Sequence, residues 1–350
     1  MASGEITSGR MSPILSELLF SQAAANQGRY LHGKLPFNFV LSDGSKFKGS
    51  FRSLPIKDTF GDGRAVGTGV LKHSTGAQYY DLTRERSFDS VDFECVSRAG
   101  LVKVFDDEEE HTADASISGL RMRDSKAMQL VTAIFDDFEY DVVSALFSTS
   151  SYSNADATAL TGGAGVKWSG AGSSPAKDGL AVKALMRARG AMIDTVVLAY
   201  DVALALCSHP ETLGVWYKTS GATLAPPSVD METMKATWAR IWGVKTVEVV
   251  EAMYNSANPA STASLTEFVS DKVAFHCFDG LTNTYQFGDS NVQANGLVSL
   301  ACVREYGYRG FEDRITNPHG TQLVGKHAYA LVTPYGSAAA RPAYVLTDVI

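Results

Sequence analysis

Cysteine is scarce in this 350-residue chain, charge is thin, and long apolar runs are missing. The four cysteines, Cys95, Cys207, Cys277 and Cys302, lie far apart with no C-x-x-C spacing and no accompanying histidine cluster. That excludes a zinc ribbon or a thioredoxin-type motif and leaves buried, reduced thiols, for which cytosolic synthesis is the natural setting. No stretch reaches the roughly 18 unbroken apolar residues of a membrane span. The short apolar run Pro13–Phe20 is broken by Glu17 and is too weak for a secretory signal, so the expected product is soluble, intracellular and without an address tag. Charged residues make up 20% of the chain and the net charge is −7, which excludes a protein that coats duplex DNA by neutralising its phosphates. No helical repeat or propeller period is present.

What the chain does have is apolar mass, with 45% hydrophobic positions and 31 glycines. It is long enough for about two or three domains with sizeable cores. Low charge beside high apolar content means either unusually large cores or a surface covered by partners.

The first fifty residues carry isolated apolar anchors such as Leu18, Leu19, Phe37 and Phe39 without a sustained period, and read as an extended arm. From Ser50 to Val104 the pattern is β, and its middle, Asp58–Gly76, is glycine-rich, as in a two-stranded ribbon with a flexible tip. Then Ala127, Val131, Ile134, Phe138, Val142 and Ala145 recur at helical spacing and predict one long helix over Leu120–Phe147, with Val131, Ile134, Phe138 and Val142 inward. Asp136, Asp137, Glu139 and Asp141 read as its outer face. A Gly/Ser/Ala segment, Ser148–Pro175, marks a boundary.

Beyond it the pattern is mixed α/β. Helices are expected at Asp178–Ala188, at Val202–Cys207 and after Ser208, where Ser208 and Glu211 have capping-box spacing. Another helix, capped by Ser228 and ended by Gly243, carries Met231, Met234, Trp238 and Ile241. Strands are expected at Thr195–Ala199, Val244–Val250, Val273–Phe278, Gly296–Glu305, Lys326–Thr333 and Ala343–Thr347.

Reaction chemistry is not legible. Gly162–Gly165 lacks the Lys-Ser/Thr of a phosphate loop and reads as a connector. The acidic run Asp106–Glu110 before His111 reads as a solvated face or a match for a basic neighbour. His209 and His276 have no nucleophile elbow to serve. No catalytic, cofactor-binding or metal-ligating residue is assigned, and the chain is read as a non-enzyme that needs no cofactor.

The order of elements, arm, ribbon, long helix, glycine-rich boundary, α/β region and closing strands, resembles the Hong Kong 97-type fold of tailed-bacteriophage major capsid proteins, in particular its lambda-like branch. Thr195–Pro210 (TVVLAYDVALALCSHP) is similar to that family's strand, helix and "HP" turn. Leu160–Gly162 with Trp168 and Ser173–Pro175 is similar to the preceding loop, and Trp242–Asn255 (WGVKTVEVVEAMYN) to the following strand. The resemblance implies an α+β chain divided into an arm (1–55), an extended loop (56–96), a peripheral domain (97–150 and 306–350) with its spine helix at 120–147, and an axial domain (151–305).

It further implies a major head protein that self-assembles as hexamers and pentamers into an icosahedral shell around packaged double-stranded DNA, with portal and scaffolding proteins as partners, a decoration protein as an option, and no membrane. Assembly would occur in host cytoplasm, the final location being the virion. Lys57, Lys72, Tyr79, Tyr80 and Leu82, in and beside the ribbon, are the expected inter-subunit contacts. Two other readings stand beside this one: an encapsulin-like storage shell, and a soluble enzyme built on the α/β region.

Overall fold

The structure, a computed structural model, describes residues 10–11, 30–35, 39–41, 48–53, 89–107, 122–160, 166–170, 172–220, 228–255, 264–278, 285–286, 293–294, 299–316, 318–333 and 338–350. The helices in chain order are α1 (Leu31–Lys34), α2 (Met122–Leu146), α3 (Ala157–Leu160), α4 (Pro175–Ala188), α5 (Tyr200–Cys207), α6 (Pro210–Ser220) and α7 (Met231–Trp242).

Thr195–Ala199 (β7) is apolar at almost every position, a pattern that requires cover on both faces of a sheet. All five of its residues are buried. It lies in a five-stranded sheet with the order β6 (Ser153–Asp156), β16 (Ala343–Thr347), β11 (Lys272–His276), β7 and β8 (Thr246–Val250). β6 runs parallel to β16 and β7 parallel to β8, the other pairings being antiparallel. Ala343–Thr347, which the sequence reading groups with residues 306–350, is thus a direct neighbour of β11 in the sheet of β7.

One face of this sheet is covered by α4, α5 and α7, whose Val182, Met186, Leu206, Trp238 and Trp242 pack against Val196, Leu198 and Phe275. Three buried indoles here satisfy their N–H groups: Trp168 on Asp178 Oδ2 at 2.8 Å, Trp238 on Thr212 Oγ1 at 2.9 Å, and Trp242 on the Pro175 carbonyl at 3.1 Å. At ~25 cal/mol per Å² over the roughly 150–250 Å² of an aromatic side chain, burying one such ring contributes at most about 4–6 kcal/mol.

The second large sheet is built on a long antiparallel hairpin, β14 (Ala301–Thr316) and β15 (His319–Val332). β5 (Val96–Phe105) extends it beyond β15, and β1 (Arg10–Met11) and the parallel β2 (Phe39–Leu41) add to β14. Three short pairs complete the described strands: β3 (Lys48–Ser53) with β4 (Asp89–Glu94), β9 (Met253–Asn255) with β10 (Leu265–Glu267), and β12 (Tyr285–Gln286) with β13 (Gln293–Ala294).

The 25-residue helix α2, roughly 37 Å long at 1.5 Å per residue, belongs to both sheets. Its first half packs Leu130, Val131, Ile134 and Phe135 against Val104, Tyr308 and Leu323 of the hairpin sheet. Its second half packs Phe138, Val142, Val143 and Leu146 against Val197, Ala274 and Val345, the other face of the five-stranded sheet. Gly100 and Gly325 are register partners across β5 and β15. A Cβ on Gly100 would meet Leu130 Cδ1 at 2.6 Å, and one on Gly325 would collide with Ile134, so this glycine pair is the seat in which the helix lies.

Several local expectations shift. α7 is capped by Asp230, whose carboxylate accepts from the Thr233 N–H at 2.9 Å, and not by Ser228; Gly243 closes it with φ +60°, as expected of a left-handed cap. Ser208 and Glu211 form no capping box: the Ser208 hydroxyl donates back to the Ala205 carbonyl at 3.2 Å, and the Glu211 carboxylate reaches across to the start of α4. It accepts there from Ser174 Oγ at 2.6 Å and Ala176 N–H at 3.1 Å. The C-terminal strands run longer than Gly296–Glu305 and Lys326–Thr333 suggest, because β14 carries glycines and alternating charges that read as breaks but follow its bulges between Arg304 and Arg309.

Candidate functional site

The acidic side of α2 is where the structure departs most from the sequence reading. Glu139 is 1% exposed. Its Oε1 accepts from the Leu31 N–H at 2.7 Å, and its Oε2 accepts from the His32 N–H at 3.1 Å and lies 2.6 Å from His32 Nδ1. A carboxylate from the long helix therefore supplies the acceptors that the first turn of α1 lacks. Asp136 Oδ1 accepts from the Tyr30 hydroxyl at 2.8 Å, a second hold on the same segment.

Asp137 and Asp141 face β5 and β15. Arg98 Nη1 donates to both Asp137 oxygens at 2.8 and 2.9 Å, and its Nη2 lies 2.5 Å from Asp141 Oδ2. The Tyr329 hydroxyl donates to Asp141 Oδ2 at 2.7 Å. Burial works against the Arg98 charge, but Tyr329, Asp141 and Asp137 outweigh it and hold the guanidinium above its ordinary value. All four carboxylates are thus fasteners: two to residues 30–32, two to the hairpin sheet.

Beneath the helix, His327 is wedged among the rings of Tyr308, Tyr329 and Phe138 at centroid distances of 4.4, 4.7 and 5.0 Å. Neither ring nitrogen of His327, nor the Tyr308 hydroxyl, finds a hydrogen-bond partner among the described residues. Burial, with the Arg304 and His32 charges behind it, pushes His327 down to about 3, so it is neutral. The Arg304 guanidinium lies 5.3 Å from the Phe138 ring centroid.

The groups capable of reaction chemistry by residue type are tied into the framework. His209 Nε2 stands 3.0 Å from Ser173 Oγ, a spacing that invites a nucleophile–base reading. The hydrogen bonds run the wrong way. His209 Nδ1 accepts from the Glu211 N–H at 3.2 Å, so the neutral ring carries its proton on Nε2 and donates to the serine, while Ser173 Oγ donates to the Gly170 carbonyl at 2.7 Å. An imidazole that donates to the hydroxyl cannot remove its proton. His209 is a helix cap, kept below its ordinary value by burial against the opposing pull of Glu211.

His276 is held similarly. Nδ1 lies 3.1 Å from Ser299 Oγ and Nε2 lies 3.1 Å from the Leu146 carbonyl, which fixes the donor on Nε2, and burial lowers the ring to about 3. Burial also pushes the Cys277 thiol up to about 12 and Cys302 up to about 11, so both stay protonated and unreactive at neutral pH. Among the described residues no group of three or more His, Cys, Asp and Glu is placed to hold a metal ion. No helix among them is long and apolar enough to cross a membrane.

Of the residues singled out from sequence, Val131, Ile134, Phe138 and Val142 are all buried on α2. Lys57, Lys72, Tyr79, Tyr80 and Leu82 lie outside the described residues, as do Gly162–Gly165 and Glu108–His111. Glu139 and its partners Tyr30 and His32 were missed. A signal existed: position 139 is four residues after Phe135 and three before Val142, and so falls on the buried stripe.

Against solved structures, the chain is similar to a phage-related protein from Bordetella bronchiseptica, with 13% identity, a TM-score of 0.61, and 98% of this chain and 99% of that one covered. It is also similar to a chain in the capsid structure of Cyanophage P-SCSP1u, with 11% identity, a TM-score of 0.50, and 99% and 91% covered. No protein-family model and no curated protein matches the sequence. At such identities the likeness is one of fold: the chain has the α+β Hong Kong 97-type fold.

Proposed function

From that fold as premise, we propose that the chain is a major capsid protein, of the lambda-like branch, that assembles as hexamers and pentamers into an icosahedral shell around packaged double-stranded DNA. The observation that carries the reading is the fold itself, found over nearly the whole chain in a protein of a phage capsid. The role is structural: Ser173, His209, His276 and the buried thiols serve packing and capping. A net charge of −7 suits a container that confines DNA without gripping it.

The division into arm (1–55), extended loop (56–96), peripheral and axial domains belongs to this proposal, with β16 as part of the axial sheet. Residues 30–35, held by Glu139 and Asp136, are where the arm is fastened to the spine helix. The ribbon residues Lys57, Lys72, Tyr79, Tyr80 and Leu82 are proposed contacts with neighbouring copies. Portal and scaffolding proteins, and a decoration protein, are the further partners of a virion component assembled in host cytoplasm.

Negative-stain microscopy and sedimentation of the expressed chain test the shell: closed particles of megadalton mass are expected, and a chain that stays monomeric sinks the reading. Nuclease-resistant duplex DNA inside particles taken from a native lysate tests the DNA role. Shells filled with an enzyme instead would make it a storage compartment.

A further inference from the structure

β7 and β8 run parallel and in register, Thr195 beside Thr246 and Ala199 beside Val250. The residues immediately before both strands therefore gather at one end of the sheet, and those immediately after them at the other, about 17 Å away at ~3.3 Å per residue. The two ends differ in charge, and both expose apolar side chains.

The leading end is a groove of about 1020 Å³ between the last turns of α4, residues Gly190–Ile193 and Gly243. Of its apolar lining residues, Met192 is the most open, 66% exposed. Its charge is basic. Arg187 is exposed, Lys183 Nζ is fixed on the Trp242 and Gly243 carbonyls at 2.6 and 2.8 Å, and Arg189 donates to Ser153 Oγ at 2.8 Å. The nearby acids, Asp178 and Asp194, are buried and face inward, Asp178 to Trp168 and Asp194 to Thr195 and the Phe278 N–H.

The trailing end is the reverse. The β9–β10 hairpin exposes Met253, Tyr254 and Leu265, the last at 66%, braced from behind by Phe268, whose ring lies 5.6 Å from Tyr254. Glu251 is exposed beside it. Asp201 and Glu267 stand close together, and burial and then the Asp201 charge raise the Glu267 carboxyl above its usual range. Lys235 is held between Glu232 and Glu248 at 2.9 and 3.5 Å, and Lys272 begins β11 at this end. Like charges crowded beside exposed apolar residues are costly in an isolated subunit and are relieved by a cationic, apolar surface.

We propose that copies of this chain meet head to tail, the acidic β9–β10 end of one seated in the basic groove at the end of α4 of the next. Opposite ends of one sheet make a heterologous contact, which propagates from copy to copy and closes into a ring when the rotation between copies divides the circle. The inference rests on the shell reading and specifies which surfaces of the subunit join.

The test is a charge exchange read by sedimentation. Arg187→Glu and Glu251→Arg, both at exposed positions, are each expected to lose the fast-sedimenting particle with unchanged circular dichroism, and the double exchange to recover it. As a second readout, Met192→Cys mixed with Leu265→Cys is expected to give a disulfide-linked dimer on mild oxidation, and neither variant alone to do so. If the single exchanges assemble like wild type, or the mixed cysteines fail to link within formed particles, the contact is wrong although the shell reading stands. A wild-type chain that sediments only as a monomer overturns both.

Discussion

The two faces of the five-stranded sheet are covered by cores of different character. On the α4–α5–α7 face, Trp168, Trp238 and Trp242 interlock with aliphatic side chains, and their N–H groups are satisfied. On the α2 face, and along α2 toward the hairpin sheet, Glu139, His32, His276 and His327 are buried among the aromatic and aliphatic residues. The first arrangement derives most of its stability from area and close packing, its buried polar groups serving mainly as acceptors for the indole N–H groups. The second makes stability depend on protonation and on which chain segments are docked, because a buried polar group is tolerated only while its partners stay in place.

Acid should separate the two cores most. His276 and His327 sit at about 3 when folded, against ~6.5 in an unfolded chain, so the unfolded state binds more protons between those values. Stability is therefore complete above pH ~6.5 and declines as pH falls toward about 3, by on the order of several kcal/mol at pH 4. His209 adds to this loss, whereas Asp194 and Glu248, raised mainly by burial, oppose it. Urea unfolding of the subunit at pH 7 and pH 4 measures the loss, and His327→Phe should reduce it. An identical pH slope in that variant would break the comparison.

Next in size is Phe138→Ala, which empties the contact among His32, His327 and Tyr329 and is expected to cost ~3–5 kcal/mol. A urea midpoint equal to wild type would mean that the helix is not the keystone described. Glu139→Gln is expected to cost about 1–3 kcal/mol, since the amide keeps one acceptor but loses the charge that several N–H groups share. Its specific sign is faster amide exchange at Leu31 and His32, with no change in β7. Smallest is Arg98→Ala. Arg98 and Asp137 are close to half-exposed and Asp141 less so, so the expected loss is about 1 kcal/mol or below and shrinks in salt, as denaturation at two ionic strengths would show.

The contrast also explains how far the sequence could be read. Apolar periodicity located α2 and β7 because burial area is written directly into residue type. The partner of a polar residue is not written that way. Glu211 sits three residues after Ser208 and imitates a cap, yet it serves α4, which is distant in sequence. Glu139 sits among other acids and imitates a solvated face, yet it holds a segment more than a hundred residues away. Asp230 took the cap expected of Ser228 because the carboxylate, and not the earlier hydroxyl, is placed to accept from Thr233. The long hairpin was underread because its glycines and charges suit a bulged strand as well as a loop.

The helix α2 lends one half of its side chains to each of two sheets. A single rigid rod shared this way couples their melting: loosening either sheet strips one end of the helix, and a half-length remnant of 12 or so residues is marginal by itself. Heating the subunit is accordingly expected to give one calorimetric transition with equal calorimetric and van't Hoff enthalpies, and two resolved peaks would show that the rod does not transmit the loss.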